Sequence, residues 1–307
     1  LVVFEGWDAA GKGSVLSRLL QPLDPRGYTV RNVGAPTEEQ RMRPPLRLFW
    51  LLLPPDGFIG IFNHSWYQQV LAERVEGTVS GAALQAAYER IRVFERQLAD
   101  NGAAIVKFFL HISKKEQAKR FEALAKDPAY AWKVGKHERR RHKLYKEYYE
   151  AIEDMLRETS TANAPWTLVA ATDDRFRSVQ VAETVVSALE QALSRPAARN
   201  APPPTTPPRR IGVLDNVDLS LTVDKKTYKD ELPRLQNELR RLQHLCYIQR
   251  KPVVAVFEGW DAGGKGGAIR RLIGMLDPRG YEVIPIGAPE GEEKRKHHLW
   301  RFWRALR

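Results

Sequence analysis

The sequence predicts an α/β protein: a three-layer, phosphate-loop domain with a mostly parallel sheet, followed by a partial second copy of the same unit. Three observations predict it. Apolar strand patterns alternate with amphipathic helical patterns from residue 1 to residue 193, the order that builds a parallel sheet covered by helices. A glycine-rich loop, FEGWDAAGKG at 4–13, joins an apolar run to a helical pattern. A near-copy of that loop, FEGWDAGGKG, recurs at 257–266.

The elements follow in order. Leu1-Val2-Val3-Phe4 is a strand feeding the loop, and Val15, Leu16, Leu19 and Leu20 mark the helix that leaves it. Between them Gly6 to Lys12 reads G-x-x-x-x-G-K. Glycines let backbone N–H groups turn toward phosphate oxygens, and the lysine adds a charge at the transferring group. The expected cradle is therefore Gly6, Ala9, Ala10, Gly11, Lys12, Gly13 and Ser14. Tyr28–Gly34 is a strand and Phe58–Phe62 a continuous apolar run with a glycine. Leu84–Ala99 is a helix, Ala104–Ile112 a strand and Glu116–Lys126 a helix; Trp166–Ala171 is the last strand and Val179–Leu193 the last helix. Ligands of such sheets sit at the carboxyl ends of the strands. That edge carries Asp8, Lys12, Ala35, Asn63, His64, His111 and Ser113.

The repeat runs past the loop. LDPRGY recurs at 23–28 and 276–281, Gly-Ala-Pro at 34–36 and 287–289, and Phe-Trp at 49–50 and 302–303, all at one offset of 253 residues. So long a period means a duplicated domain rather than a solenoid. The second loop offers Gly259, Asp261, Gly264, Lys265 and Gly266 as a second phosphate site, with Asp261 the counterpart of Asp8. Three segments are expected: a first unit over 1–195, a proline-rich linker over 196–210, and the opening of a second unit over 211–307. Prolines in the linker prevent helix and sheet ladders. Tyr228–Arg250 has leucines three and four residues apart and reads as a helical prefix to the second unit, which begins its strand at Val253–Phe257. The first copy lacks such a prefix, and both ends read as cut.

Composition sets loose bounds. A length of 307 residues suits two domains, and 43% apolar residues is globular. The single cysteine, Cys246, precludes an internal disulfide framework and fits a reducing, cytoplasmic setting. No apolar run is long enough to span a bilayer. A net charge of +12 fits a polyanionic partner without choosing among nucleic acid, membrane and polyphosphate.

Several residues carry candidate chemistry. Asp8 lies inside the loop, and Gly13 stands where a Ser/Thr ligand of Mg²⁺ is usual. Asp8 either holds Mg²⁺, directly or through water, or accepts loop N–H groups and shapes the turn. Asn63, at the end of the IGIFNHSWY strand, either orients a metal-bound water or caps the next helix. His64 is a phosphate contact or a satisfied structural group. Lys133, Arg139, Arg140 and Arg141 belong to a basic run with interleaved aromatics at 126–152. That run is either a cationic lid closing over an anionic chain or a solvated helix face. Arg120, on the preceding helix, is a further phosphate candidate.

The strings FEGWDAAGKG, LDPRGY, GAPTEE, IGIFNHSWY, VLAERVEG, KFFLHISKKEQAKRFEAL, DPAYAWKV and RETSTANAPW together resemble the family-2 polyphosphate kinases, in particular their tandem, two-domain members. The resemblance spans nearly all of 1–193 and, in the second copy, 253–306. It implies a nucleotide-kinase-like fold with a helical lid, Mg²⁺ dependence, phosphate transfer between polyphosphate and a nucleotide, and association into homo-oligomers. It implies Asp8 and Lys12 as loop residues, Asn63 and His64 as the metal-side pair, and Arg120 and Lys133 as polyphosphate-side cations. The family usually has Asp-Arg where this chain has Asn63-His64.

The leading expectation is Mg²⁺-assisted transfer from polyphosphate to AMP, giving ADP, with polyphosphate and AMP/ADP as partners and no membrane. The alternatives are an ATP-dependent nucleoside monophosphate kinase and a catalytically weak domain that binds polyphosphate or supports assembly. Nucleic-acid binding through 133–143 is the least favoured.

Overall fold

The computed structural model describes residues 1–194 and 212–306. The linker expected over 196–210 lies outside them. The chain divides into two compact units, Leu1–Ala201 with Pro289–Arg307, and Pro202–Ala288.

The first unit opens with β1 (Val2–Gly6), α1 (Lys12–Leu20), β2 (Tyr28–Asn32), α2 (Glu38–Arg41), α3 (Arg47–Leu52) and β3 (Ile59–Asn63). It continues through α4 (Gln68–Val75), α5 (Gly81–Asp100), β4 (Val106–His111), α6 (Lys114–Lys126), α7 (Lys136–Lys143), α8 (Tyr145–Thr159), β5 (Trp166–Ala170) and α9 (Asp174–Ser194). The five strands pair in parallel in the order β2-β3-β1-β4-β5. Burial explains the order. Val2, Val3, Phe4 and Glu5 of β1 and the first five residues of β4 are buried, as a strand covered on both faces requires. β2 and β5 are more exposed and sit at the edges. Val3 lies opposite Phe62 on one side and Lys107 on the other, and Gly6 opposite Leu110. This register brings the ends of β1, β2, β3 and β4 to one edge.

The second unit contains α10 (Lys225–Ile248) and α11 (Lys265–Ile273). Asp224 caps α10, accepting from the N–H groups of Lys226 and Thr227 at 2.9 and 3.0 Å. The helix meets the repeat through polar contacts: Gln236 Nε2 to Arg271 O at 2.6 Å, and Gln243 on both the N–H and C=O of Asp277 at 2.8 and 3.0 Å. The strand expected over Val253–Phe257 does not form, and the unit has no strand among its described residues. The cause is the absence of partners. β1 is held between β3 and β4, whereas no described residue forms a strand beside 253–257. Val253, Val254 and Val256 are exposed.

Residues 289–307, expected with the second unit, pack with the first. They end in α12 (Trp300–Ala305), which lies on α3. The two helices occupy equivalent repeat positions, and equivalent tryptophans, Trp50 and Trp303, stack at 5.9 Å and 11°. Lys296 Nζ donates to Leu53 O at 2.6 Å and Asp56 N to Arg295 O at 2.8 Å. The apolar surface of Trp50, Leu53 and Phe94 is what draws Leu299 and Trp303 in.

His297 makes this docking pH-sensitive. Its ring lies 4.8 Å from Trp50, its Nε2–H donates to Gln97 O at 3.2 Å, and its Nδ1 accepts from Leu299 N at 3.1 Å. The neutral tautomer is satisfied at both nitrogens, and a second proton would break the Leu299 bond. Burial pushes the imidazole below its ordinary value, helped by His298 and opposed by the Gln97 carbonyl. The stabilisation is therefore complete above the ordinary histidine pKa of about 6.5 and is lost as the pH falls through the lower, docked value. Amide protection over 300–305, corrected for intrinsic exchange, should drop below about pH 6.5. His297→Gln should remove that dependence. Equal protection on both sides would contradict it.

Among the described residues no helix is long and apolar enough to cross a membrane.

Candidate functional site

The phosphate loop hangs from β1 across the sheet's carboxyl edge. Gly6 has φ +144°, and a Cβ there would stand 2.6 Å from Leu110 O, so only glycine fits beside β4. Trp7 locks the next step: its N–H bonds Leu110 O at 3.2 Å, its Nε1 bonds His111 Nδ1 at 3.1 Å, and its ring stacks on Tyr145 at 3.9 Å. Ala9 has φ +60°. Gly11 starts α1 at φ +94°, and a Cβ there would lie 2.5 Å from the Arg177 guanidinium.

Lys12 is buried and turned back on the loop, with Nζ 2.8 Å from Gly6 O and 3.2 Å from Trp7 O. Burial lowers its pKa, Asp8 and Glu5 oppose that, and Arg141 adds to it. The ammonium is thus stored beside the cradle on carbonyls that are easily exchanged for stronger, charged acceptors.

Two arginines bond the loop's carbonyls. Arg120 donates to Ala9 O at 3.0 Å, to Ala171 O at 3.0 Å and to Thr172 O at 2.8 Å, and pairs with Glu116 at 2.7 Å. Arg177, which sequence reading missed, donates to Ala10 O and Ala171 O, both at 3.1 Å, and pairs with Asp174. Arg120, expected as a phosphate contact, lines the cleft with these donors on protein oxygens.

On the other side β3 delivers Asn63 and His64. Asn63 Nδ2 donates to Asn32 Oδ1 at 2.8 Å, while Asn63 Oδ1 is buried without a hydrogen-bond partner. His64 adopts φ +58°, an uncommon conformation for a non-glycine residue, with its N–H on Phe4 O at 3.1 Å. Its Nδ1 lies 3.1 Å from Glu5 Oε2, and Ser65 Oγ donates to Glu5 Oε1 at 2.9 Å. Facing a carboxylate, which only accepts, Nδ1 carries the proton and Nε2 is left for a ligand. Glu5 was also missed. It sits within an apolar strand pattern, and nothing local signals that a residue 59 positions away will meet it.

The basic run forms a helical cover. A 3₁₀ turn at Ala131–Lys133 leads into α7, whose first turn is closed by Glu138 Oε2 on Gly135 N at 2.9 Å. Arg141 reaches the loop: its Nε and Nη2 donate to the two carboxylate oxygens of Asp8 at 2.7 and 3.2 Å. Lys133 Nζ lies over the Tyr130 ring at 4.6 Å.

These parts line one cleft of about 2420 Å³, well beyond small-molecule pockets of roughly 300–1,000 Å³. Of the expected residues, Asp8, Lys12, Asn63, His64, Arg120, Lys133, Arg140 and Arg141 line it, with Gly6, Ala9, Ala10, Gly11, Gly13 and Ser14. Arg139 is exposed and does not. Arg41 and Arg43 add positive charge to the wall and were not singled out in the sequence. The second loop repeats the local geometry: Lys265 Nζ bonds Gly259 O at 2.6 Å and Trp260 O at 3.0 Å, with Ala262 at φ +60° and Gly264 at φ +86°. Asp261 and Gly266 are exposed there.

A divalent cation fits the cleft. Asn63 Oδ1 is an orphaned buried acceptor and Asp8 a carboxylate, both hard oxygen ligands. Among the described residues no three His, Cys, Asp or Glu side chains converge on a metal position.

A family profile described as polyphosphate kinase 2 matches residues 1–196 and 222–307. The chain is 39% identical over 310 residues to the polyphosphate:AMP phosphotransferase of Pseudomonas aeruginosa, covering 100% of this chain and 62% of that protein. It is 36% identical over 314 residues to the protein of the same name from Pseudomonas syringae pv. tomato, again covering 100% and 62%. A solved structure of a polyphosphate kinase 2 candidate from Pseudomonas aeruginosa matches with a TM-score of 0.78 at 37% identity, covering 100% of this chain and 60% of the other. The chain spans about 62% of the length of these curated relatives.

Proposed function

The chain belongs to the polyphosphate kinase 2 family, and on that premise we propose that the first unit transfers a phosphoryl group from inorganic polyphosphate to AMP, giving ADP. The observation that carries this reading is the single cleft in which the phosphate loop, the Asn63–His64 edge and the cationic lid converge. Its size suits an extended polyanion together with a nucleotide. The relatives' names supply the donor and the acceptor.

Each group has a defined task. Loop N–H groups receive the oxygens of the transferring phosphate. Lys12 leaves the Gly6 and Trp7 carbonyls for the charge that develops on those oxygens. Arg120 and Arg177 keep the loop rigid, so that the donors need no rearrangement when the reaction occurs. Asp8 and Asn63 would hold Mg²⁺, which supplies charge neutralisation to the phosphate oxygens when bound. The lid excludes water, which would otherwise take the phosphoryl group in place of AMP.

Initial rates of ADP formation from AMP, with polyphosphate or ATP as donor, test the reading. Polyphosphate should support the reaction. ADP formed only with ATP would make the protein an ATP-dependent kinase. A second reading has one observation in its favour: Asn63, paired with Asn32, brings no charge to the metal side. On that reading the unit binds polyphosphate without turning it over, and neither donor gives ADP.

The lid makes a sharper prediction. Arg140 lines the cleft and Arg139 does not. Arg140→Gln should raise KM for polyphosphate by roughly three- to tenfold and change KM for ATP less, since a triphosphate reaches fewer lid cations. Arg139→Gln should leave both near wild type. Equal effects of the two substitutions would return the run to a solvated helix face.

A further inference from the structure

The lid and the phosphate loop grip each other through a contact that transfer itself cannot use. Arg141 engages both carboxylate oxygens of Asp8, and its Nη2 also donates to Glu138 Oε1 at 3.1 Å. The Asp8 side chain is only 17% exposed, so water solvates it poorly. Lys12, the nearest alternative cation in sequence, is turned to the Gly6 and Trp7 carbonyls. Of the other acidic groups near the loop, Glu5 is engaged by His64 and Ser65, and Asp174 by Arg18 and Arg177. Asp8 is the carboxylate carried by the loop itself, and the Arg141 guanidinium covers the lone pairs that a divalent ion would need there. Two cations on one carboxylate would also repel each other.

We infer that Arg141 holds the divalent cation's place on Asp8 while the site is empty, so that cation binding and the lid's grip on the loop exclude one another. The inference rests on the reading of this cleft as a metal-assisted phosphoryl-transfer site and adds its regulation. In the empty protein the pair neutralises Asp8 and keeps α7 against the loop. When a divalent ion is present Arg141 leaves Asp8, the lid loosens, and the guanidinium becomes available to phosphate oxygens. The cation's apparent affinity is reduced by the fraction of molecules in the latched state. Arg141 is thus a positioning residue before substrate arrives and a phosphate-side cation afterwards.

The test uses Mn²⁺ as the probe, with the full chain and without nucleotide or polyphosphate. Free Mn²⁺ is counted by electron paramagnetic resonance, and lid opening by amide exchange over 136–143. Arg141→Gln should bind Mn²⁺ roughly three- to tenfold more tightly than wild type, and Arg141→Lys, which makes a one-point contact, should fall between them. Mn²⁺ should speed exchange in the wild-type lid and leave the already loosened Arg141→Gln lid unchanged. Asp8→Asn should bind Mn²⁺ weakly whether or not Arg141 is present. Equal affinity of wild type and Arg141→Gln, with Asp8→Asn still weak, overturns the latch and leaves the metal reading standing. Asp8→Asn binding as tightly as wild type overturns both.

Discussion

Lys12→Ala should lower ADP formation from polyphosphate and AMP by about two to three orders of magnitude, the roughly 3–4 kcal/mol associated with removing a preorganised donor from a developing charge. The size of the effect follows from where the ammonium is kept. Its neighbours are the carbonyls of Gly6 and Trp7, within the loop proposed to cradle phosphate, and Asp8 and Glu5 favour its charged form against burial. No other lysine lines the loop side of the cleft; Lys133 belongs to the lid. The variant should still fold, because Val3, Phe4, Val15 and Leu16, which anchor the loop's flanks, are buried independently of Lys12. The measurement is kcat at saturating donor, beside a circular dichroism spectrum. Unchanged turnover in a folded variant would take Lys12 out of the reaction.

Glu95→Ala should destabilise the first unit by about 3–5 kcal/mol, because it strands a buried ammonium. Lys107 is the second residue of β4, its side chain fully buried, 2.8 Å from Glu95 Oε2. Its other two protons go to Tyr67 OH and Thr159 O, both at 2.8 Å, and its Nζ lies 4.8 Å from the Trp166 ring. Glu95 Oε1 accepts from Trp66 Nε1 at 3.0 Å and from Tyr67 OH at 2.5 Å. Burial lowers the Lys107 pKa, and Glu95 opposes that shift. Removing the carboxylate leaves the ammonium, the indole N–H and the phenol short of an acceptor together. Urea midpoints at constant m-value would report the change. The double variant Glu95→Leu with Lys107→Met should recover much of the loss, as buried pairs replaced by apolar residues often do. A single variant within about 1 kcal/mol of wild type would mean that water reaches the pair.

The alternation of apolar runs and helical patterns was enough to place the five strands, because strand-length apolar runs separated by amphipathic helices mark a parallel sheet. Tyr28–Gly34 and Trp166–Ala171 were read within one or two residues of β2 and β5. The same reasoning misplaced Val253–Phe257, whose composition is that of a strand but beside which no described residue forms one. A strand is a property of its neighbours as well as of its residues. That Asp8, Lys12, Asn63 and His64 lie at one cleft was legible for a related reason: motif spacing and strand ends place them locally. Arg177 and Glu5 were not. Each acts on a partner far along the chain, Ala10 in one case and His64 in the other, and an arginine in an amphipathic helix or a glutamate in a strand looks unremarkable alone. The attachment of residues 289–307 to the first unit was illegible too. It depends on a three-dimensional match between Trp50 and Trp303, which the repeat makes equivalent but does not say will touch.

Direct phosphoryl transfer between polyphosphate and nucleotide is tested most directly by following the donor's phosphorus. The protein is incubated with Mg²⁺, unlabelled AMP and polyphosphate carrying radioactive phosphorus, with no ATP present, and the nucleotides are separated. Label should appear in the β-phosphate of ADP, with none in the α-phosphate, and should vanish with Lys12→Ala. Label released only as inorganic phosphate, or ADP left unlabelled, would contradict transfer at this site.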